Sequence, residues 1–189
     1  MKTLFSTYPG LVTAFGAFVL WILTRWAELV RDFFSKRRAK NNLIRALFAE
    51  VDFNTRDLEF FTMNSADISK ITAAMAKDPD LLPHVTDTHH TKIYAENLKN
   101  MHLMDDDLVA RLVLFYGLLE KIKTQIDGVN LPSFATVSSA GKSTIIQRLG
   151  VQVTQCEAEG RTILDRFTKR HSKLALVRHT RQAIETKQQ

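Results

Sequence analysis

The sequence predicts an all-α protein in which an N-terminal transmembrane helix precedes a small helical bundle containing a long antiparallel helical hairpin. Three observations carry that expectation. No charged side chain stands between Lys2 and Arg25. Two apolar seams, spaced alternately by three and four residues, run through the second half of the chain. Glycine and proline number only 7 and 4 in 189 residues, and no convincing run alternates polar with apolar side chains as a half-buried strand does. The expected organisation is an anchor with an amphipathic exit over residues 1–35, a helical domain over 36–170 and a basic tail over 171–189. The length suits one folded domain.

The uncharged stretch, residues 3–24, has 22 residues. As a helix it extends ~33 Å, close to the hydrocarbon thickness of a bilayer. Pro9 suits a helix start, where its missing N–H leaves nothing unsatisfied. Trp21 and Trp26 fall where an aromatic belt meets one face of a membrane. A cleaved signal peptide fits less well, because Phe18, Leu20, Trp21 and Leu23 prolong the apolar run beyond the small residues Ala14 and Gly16. A buried core helix usually keeps a polar stripe.

The flanks set the orientation. Lys2 stands on one side, and Arg25, Arg31, Lys36, Arg37, Arg38, Lys40 and Arg45 on the other. Positive residues stay in the cytoplasm, so the expected location is the cytoplasmic (inner) membrane, single-pass, with the N-terminus outside and the C-terminal domain in the cytoplasm. Past Arg25, the side chains of Trp26, Leu29, Val30 and Phe33 share a helical face. Arg31, Lys36, Arg37, Arg38 and Lys40 are the candidate membrane-surface contacts, and each basic residue near anionic headgroups contributes ~1 kcal/mol.

Asn41 or Asn42 is placed to cap a helix carrying Leu43, Leu47, Val51, Leu58 and Phe61 on one side. Glu50, Asn54 and Asp57 fall on a different face, read as polar and solvated. Asn64 with Asp67 resembles a capping arrangement for a helix over 65–77, closed by Asp78 and Pro79. Residues 78–90 hold two prolines and read as irregular, and a short helix is expected over 92–100.

The hairpin is the clearest element. Asp105, Asp106 and Asp107 stand where a helix N-terminus favours negative charge. Leu108, Leu112, Phe115, Leu119, Ile122 and Ile126 then follow at 4-3-4-3-4 spacing, with Gly128 as the stop. After a linker containing Pro132, a second seam runs through Ile146, Leu149, Val153, Cys156, Gly160, Ile163 and Phe167. Two seams joined by a short turn read as an antiparallel pair. Leu108, Leu112, Phe115, Leu119, Ile122, Ile146, Leu149, Val153 and Cys156 are therefore expected to pack the bundle or to meet a second copy. Cys156, the sole cysteine, reads as a small core residue.

The motifs that suggest chemistry lack their context. The stretch from Ser139 to Thr144, SAGKST, looks like the end of a phosphate-binding loop. That loop needs glycine five positions before Gly141, where Thr136 stands, and a buried strand ahead of it. Ser138 or Ser139 instead suits the cap of the second hairpin helix. His84, His89, His90 and His102 cluster near Asp87, but one Asp-x-x-His pair does not make a di-iron or zinc site. No nucleophile and base stand in a recognisable arrangement, so no catalytic residue, metal or cofactor is expected.

Charge supplies the remaining clue. Of the formal net charge of +6, residues 161–189 carry all, eight basic against two acidic residues, 8 − 2 = +6. Arg166, Lys169, Arg170, Lys173, Arg178 and Arg181 are the candidate anion contacts, and an anionic partner such as lipid, nucleic acid or an acidic protein is implied. Phe167 is the only aromatic residue there, so a nucleic-acid partner rests on charge alone.

Two stretches carry a resemblance. Leu47, Glu50, Val51 and Asn54 form an L-x-x-E-hydrophobic-x-x-N helix, and Tyr94, Asn97, Val109, Phe115 and Tyr116 follow as a Y-x-x-N hairpin pattern. This resembles small bacterial single-pass membrane proteins with a helical cytoplasmic domain. The resemblance implies that architecture and no catalytic residue. The expected role is a non-catalytic membrane-anchored interaction module whose partners are lipid and a protein or second copy. The alternative is a membrane-tethered nucleic-acid binder using the basic C-terminal segment.

Overall fold

The computed structural model describes residues 9–63, 66–78 and 89–179, with the backbone alone for 9–15, 66–68 and 76. Among the described residues every regular element is helical. The α-helices are α1 (Pro9–Met63), α2 (Ala66–Lys77), α3 (Lys92–Glu96), α4 (Asp106–Val129) and α5 (Ser139–Arg170). Tight 3-10 turns occupy Leu98–Leu103, Pro132–Thr136 and Ser172–Leu174. The chain divides into two units, Met1–Asn42 and Leu43–Gln189.

In the first unit, residues 16–39 of α1 are exposed throughout. Phe18, Val19, Leu20, Trp21, Ile22 and Leu23 are consecutive, so at 100° per residue they clothe every side of the helix. Further on, Trp26, Leu29, Val30, Phe33 and Phe34 recur at helical spacing and form one stripe. Arg25 and Glu28 pair at 3.0 Å away from it. Among the described residues no helix is long and apolar enough to cross a membrane. Residues 1–8 and the side chains of 9–15, the larger part of the expected span, lie outside the described residues.

The expected new helix start at Asn41 or Asn42 does not occur, since α1 runs unbroken through both. Neither glycine nor proline interrupts residues 36–47, where lysine, arginine, alanine and leucine favour the helix on both sides.

The second unit is organised around α5, whose 32 residues give it a length of ~48 Å. The expected hairpin is present. Arg111 meets Glu159 at 2.8 Å, Arg166 pairs with Asp107, and Arg170 meets Asp105 at 2.6 Å, a register that only antiparallel helices produce. Residues 43–63 of α1 lie antiparallel to α5 on another side. There the Phe48 and Phe167 rings stand 6.1 Å apart and Thr62 donates to Glu157 at 2.8 Å. α2 continues along α5 toward its start, where Ser139 donates to the Met75 carbonyl at 3.2 Å. Because α1 and α4 both oppose α5, they run in the same direction, and α3 with the turn after it precedes the start of α4.

The seams form the core. Leu108, Leu112, Phe115, Leu119, Ile122, Leu149, Val153 and Cys156 belong to one buried cluster with Leu43, Leu47 and Val51 of α1. Ile146 joins a smaller cluster with Met75, Val129 and Phe134. Each large apolar side chain removed from water contributes about 2 kcal/mol. The seam therefore packs within one chain.

The helix ends follow local chemistry. Ser138 caps α5, its hydroxyl accepting from the Gly141 N–H at 3.2 Å. Asp105 is the N-cap residue of α4, with Asp106 and Asp107 in its first turn. α4 ends one residue beyond the expected Gly128, at Val129. α2 begins at Ala66, and the expected cap by Asn64 and Asp67 lies outside the described side chains. After α5 the chain makes a turn and then an extended strap to His179. Ala175 stands at φ 49°, ψ 47°, a left-handed conformation costing an alanine ~1 kcal/mol.

α1 and α5 are in tight contact at Gly160. A Cβ there would lie 2.2 Å from Thr55 Oγ1 and 2.9 Å from the Phe115 ring. Gly160→Ala is accordingly expected to destabilise the domain by ~1–3 kcal/mol through overpacking, despite alanine's better helix propensity. Urea unfolding of the full chain in detergent checks this, with partial recovery expected when Thr55→Ala is added.

Candidate functional site

Two polar clusters flank the buried stripe of α1. In the first, Glu50 is buried and its carboxylate accepts three hydrogen bonds, from the Ile93 N–H at 2.6 Å, the Tyr94 N–H at 2.9 Å and the Tyr116 hydroxyl at 2.7 Å. One turn later, Asn54 is also buried; its amide donates to the His90 carbonyl at 2.6 Å and accepts from the His90 N–H at 2.7 Å. The N-cap residue of α3 is Thr91, which supplies no side-chain cap of its own. Glu50 thus caps α3 from another helix, satisfying two of the N–H groups a helix start leaves open.

The Tyr94 ring stacks on Tyr116, centroids 3.9 Å apart and planes 11° apart. Burial, the hydrogen bond to Glu50 and the charge of that carboxylate all push the Tyr116 phenol up from its ordinary range. It remains a neutral donor.

This corrects the expected solvated face. Glu50 and Asn54 are buried, and only Asp57 of the three is exposed. The sequence did carry a signal. Leu47, Val51, Asn54, Leu58 and Phe61 repeat at 4-3-4-3 spacing, so Asn54 stands on the apolar seam itself.

The second cluster joins α1, α5 and the strap. Asp52 has no solvent exposure. It accepts from Arg178 Nε at 3.2 Å and from the His179 N–H at 3.1 Å, with Arg56 Nε 3.6 Å away. Arg178 also donates to Glu59 at 2.9 Å. Glu59 meets Arg161 at 3.0 Å, and Arg161 meets Glu157 at 2.6 Å. Burial pulls the Arg178 pKa down, but hydrogen bonds and attraction from Glu59 and Asp52 outweigh it and hold the guanidinium above its ordinary value.

The candidate anion contacts are placed unevenly. Arg166, Arg170 and Arg178 pair with carboxylates of the same chain, Lys169 and Lys173 are exposed, and Arg181 lies outside the described residues. Of the candidate membrane contacts, Arg31, Lys36, Arg37 and Arg38 are exposed and Lys40 is half-buried.

The SAGKST stretch forms the first turns of α5. Its Lys142 is buried, with the ammonium 5.9 Å from the Phe134 ring centre. His84 and Asp87 lie outside the described residues. Among the described residues no group of three or more His, Cys, Asp or Glu side chains could hold a metal ion. A cavity of about 410 Å³ lies among α1, α2 and α5 and is lined by Phe61, Thr72, Val151 and Thr154 among others. The Thr72 and Thr154 hydroxyls donate to carbonyls of their own helices, at 3.0 and 3.1 Å.

Comparison with protein families, with characterised proteins and with solved structures finds no match to this chain.

Replacing Glu50 tests the first cluster. Glu50→Ala leaves two N–H groups and a hydroxyl unsatisfied, and should cost about 3 kcal/mol, whereas Tyr116→Phe should cost about 1–2 kcal/mol. Chemical denaturation of both variants reads the difference.

Alkaline pH gives a second test. Burial, and secondarily Glu159, pushes the Cys156 thiol from 9.0 up to about 12. A folded-state pKa above the unfolded value means stability is intact below pH 9 and is lost as pH rises toward 12. Tyr116 adds the same sign of loss above pH 10. Urea midpoints measured from pH 7 to 11 should fall beyond pH 9, and Cys156→Ala should flatten the onset.

Proposed function

We propose that this chain is a non-catalytic, membrane-anchored helical interaction module, serving as an adaptor, anchor or subunit of a membrane complex. One observation carries the reading. The apolar residues 18–23 surround α1 on all sides and are exposed among the described residues: Phe18 is 56 %, Leu20 68 % and Trp21 63 % exposed. A helix apolar on every side belongs in a core or in lipid. The reading joins this segment to the uncharged residues 3–15, which together give a bilayer-length span.

The order of features along α1 supports the same conclusion. All-round apolar residues give way to a stripe rich in aromatics, and basic residues follow. Trp21, Trp26, Phe33 and Phe34 have the character of a membrane interface, and Arg31, Lys36, Arg37, Arg38 and Lys40 that of headgroup contacts. With the positive residues on the cytoplasmic side, the helical domain faces the cytoplasm and the N-terminus lies outside. The second unit then offers helical surfaces to a protein partner or a second copy.

The nucleic-acid alternative draws less support, because three of its six candidate contacts already have carboxylate partners. Such binding would weaken steeply with salt.

Fractionation tests the reading. Membranes containing the full chain, washed in high salt and then at alkaline pH, should retain it, because apolar burial rather than charge attaches it. Recovery of intact chain in the soluble fraction would sink the proposal.

A further inference from the structure

The apolar stripe of α1 runs further along the helix than lipid covers. The uncharged stretch ends at Thr24, and Phe33 lies nine residues beyond it, ~14 Å along the axis. The headgroup layer adds only about 5–8 Å to each side of the hydrocarbon. Neither glycine nor proline occurs in residues 17–39, so this part of the helix has no residue that turns it sharply aside. A helix lying in the membrane plane buries such a stripe among headgroups, but one that continues a span carries it through them. The aromatics that suit an interface at Trp21 and Trp26 thus recur at Phe33 and Phe34, beyond that layer.

We propose that two copies of this chain pair through that stripe, as a short parallel coiled coil at the membrane surface. The proposal rests on the membrane-anchored reading, whose partner it names. Spacing supports it first. Val19, Ile22, Trp26, Leu29 and Phe33, all exposed, follow at 3-4-3-4 intervals, the heptad seam of such a coil. Charge supports it next. In a parallel pair, the residue before one seam position lies beside the residue after the next seam position of the other helix. The exposed Asp32, just before Phe33, thereby meets the exposed Arg37 of the second copy, and symmetry forms that pair twice. Among the described residues no ion pair engages either of them.

Area and orientation complete the case. Trp26, Leu29, Val30, Phe33 and Phe34 are 45–68 % exposed, so two copies have about 1,000 Å² between them to bury, the size at which specific interfaces begin. Copies anchored in one membrane with the same orientation emerge parallel and at one depth, so their seams meet already in register. Lys36 takes the next seam position and ends the coil, since two ammonium groups would face each other there.

The test reverses the charges beside the seam. Asp32→Arg and Arg37→Asp, each in the full chain, set like charges against each other in a pair of identical copies, whereas the two variants mixed restore opposite charges. Sedimentation in mild detergent should show the native chain paired, each variant associating about fivefold more weakly, and the mixture returned to the native value. A native chain that stays monomeric, or variants that pair as tightly as it does, overturns the proposal. So does a weakening that mixing leaves uncorrected. Oxidation of single-cysteine variants reads the position of the contact separately. Leu29→Cys on the seam should link two chains about fivefold more than Arg31→Cys on the opposite face, with the native Cys156 buried in both. Equal linking at the two positions overturns the seam. All of these measurements use solubilised chain, so their failure is distinct from recovery of the chain in the soluble fraction.

Discussion

The second unit depends on one constraint: α1 must bury two carboxylates while it buries its apolar stripe. Glu50 and Asp52 both lose their water, and an uncompensated buried charge costs several kcal/mol. Neither is compensated by its own helix alone. Glu50 draws on the start of α3 and on Tyr116 of α4, and Asp52 draws on the strap that follows α5. The two irregular segments are thereby fixed in place. In most helical domains connecting segments are the least determined part of the fold; here they supply the donors that allow the first helix to pack.

The same arrangement explains why α5 lies at the centre. Its outer turns face Arg- and Asp-bearing partners on α4, while Gly160 leaves room for the Thr55 side chain of α1. A side chain there would press on Thr55, which stands on α1 between Asn54 and Arg56 beside the residues that hold both polar clusters.

The helical class, the hairpin and the buried seam residues within it were legible in the sequence, because seams spaced by three and four residues have one geometric reading, whereas the buried Tyr116, Leu118, Val129, Lys142, Glu157 and Leu164 stand off those seams. Ser138 as a cap and Cys156 as a core residue were legible for the same local reasons. The two polar clusters were not. Glu50 looks like the outer face of a helix until the partner of that face is known, and its partners lie 43 to 66 residues away. Asn54 was the visible exception, since it stands on the seam. The pairing of the basic tail within the chain was not legible either. Its net charge implies an external anion, yet Arg166, Arg170 and Arg178 are matched by Asp107, Asp105, Asp52 and Glu59, distant in sequence and adjacent in space. The alternating Leu174, Leu176 and Arg178 is the pattern that would have marked the strap.

Cys156 carries a consequence of a different kind. The only sulfhydryl of the chain is sealed against the Phe115 carbonyl with no solvent exposure, and its thiolate is strongly disfavoured. Oxidants, electrophiles and thiol-exchange reagents all act through the thiolate. The thiol of the folded protein is therefore silent toward them, in reducing and oxidising surroundings alike, and any modification found on that sulfur would report that the helices had first come apart.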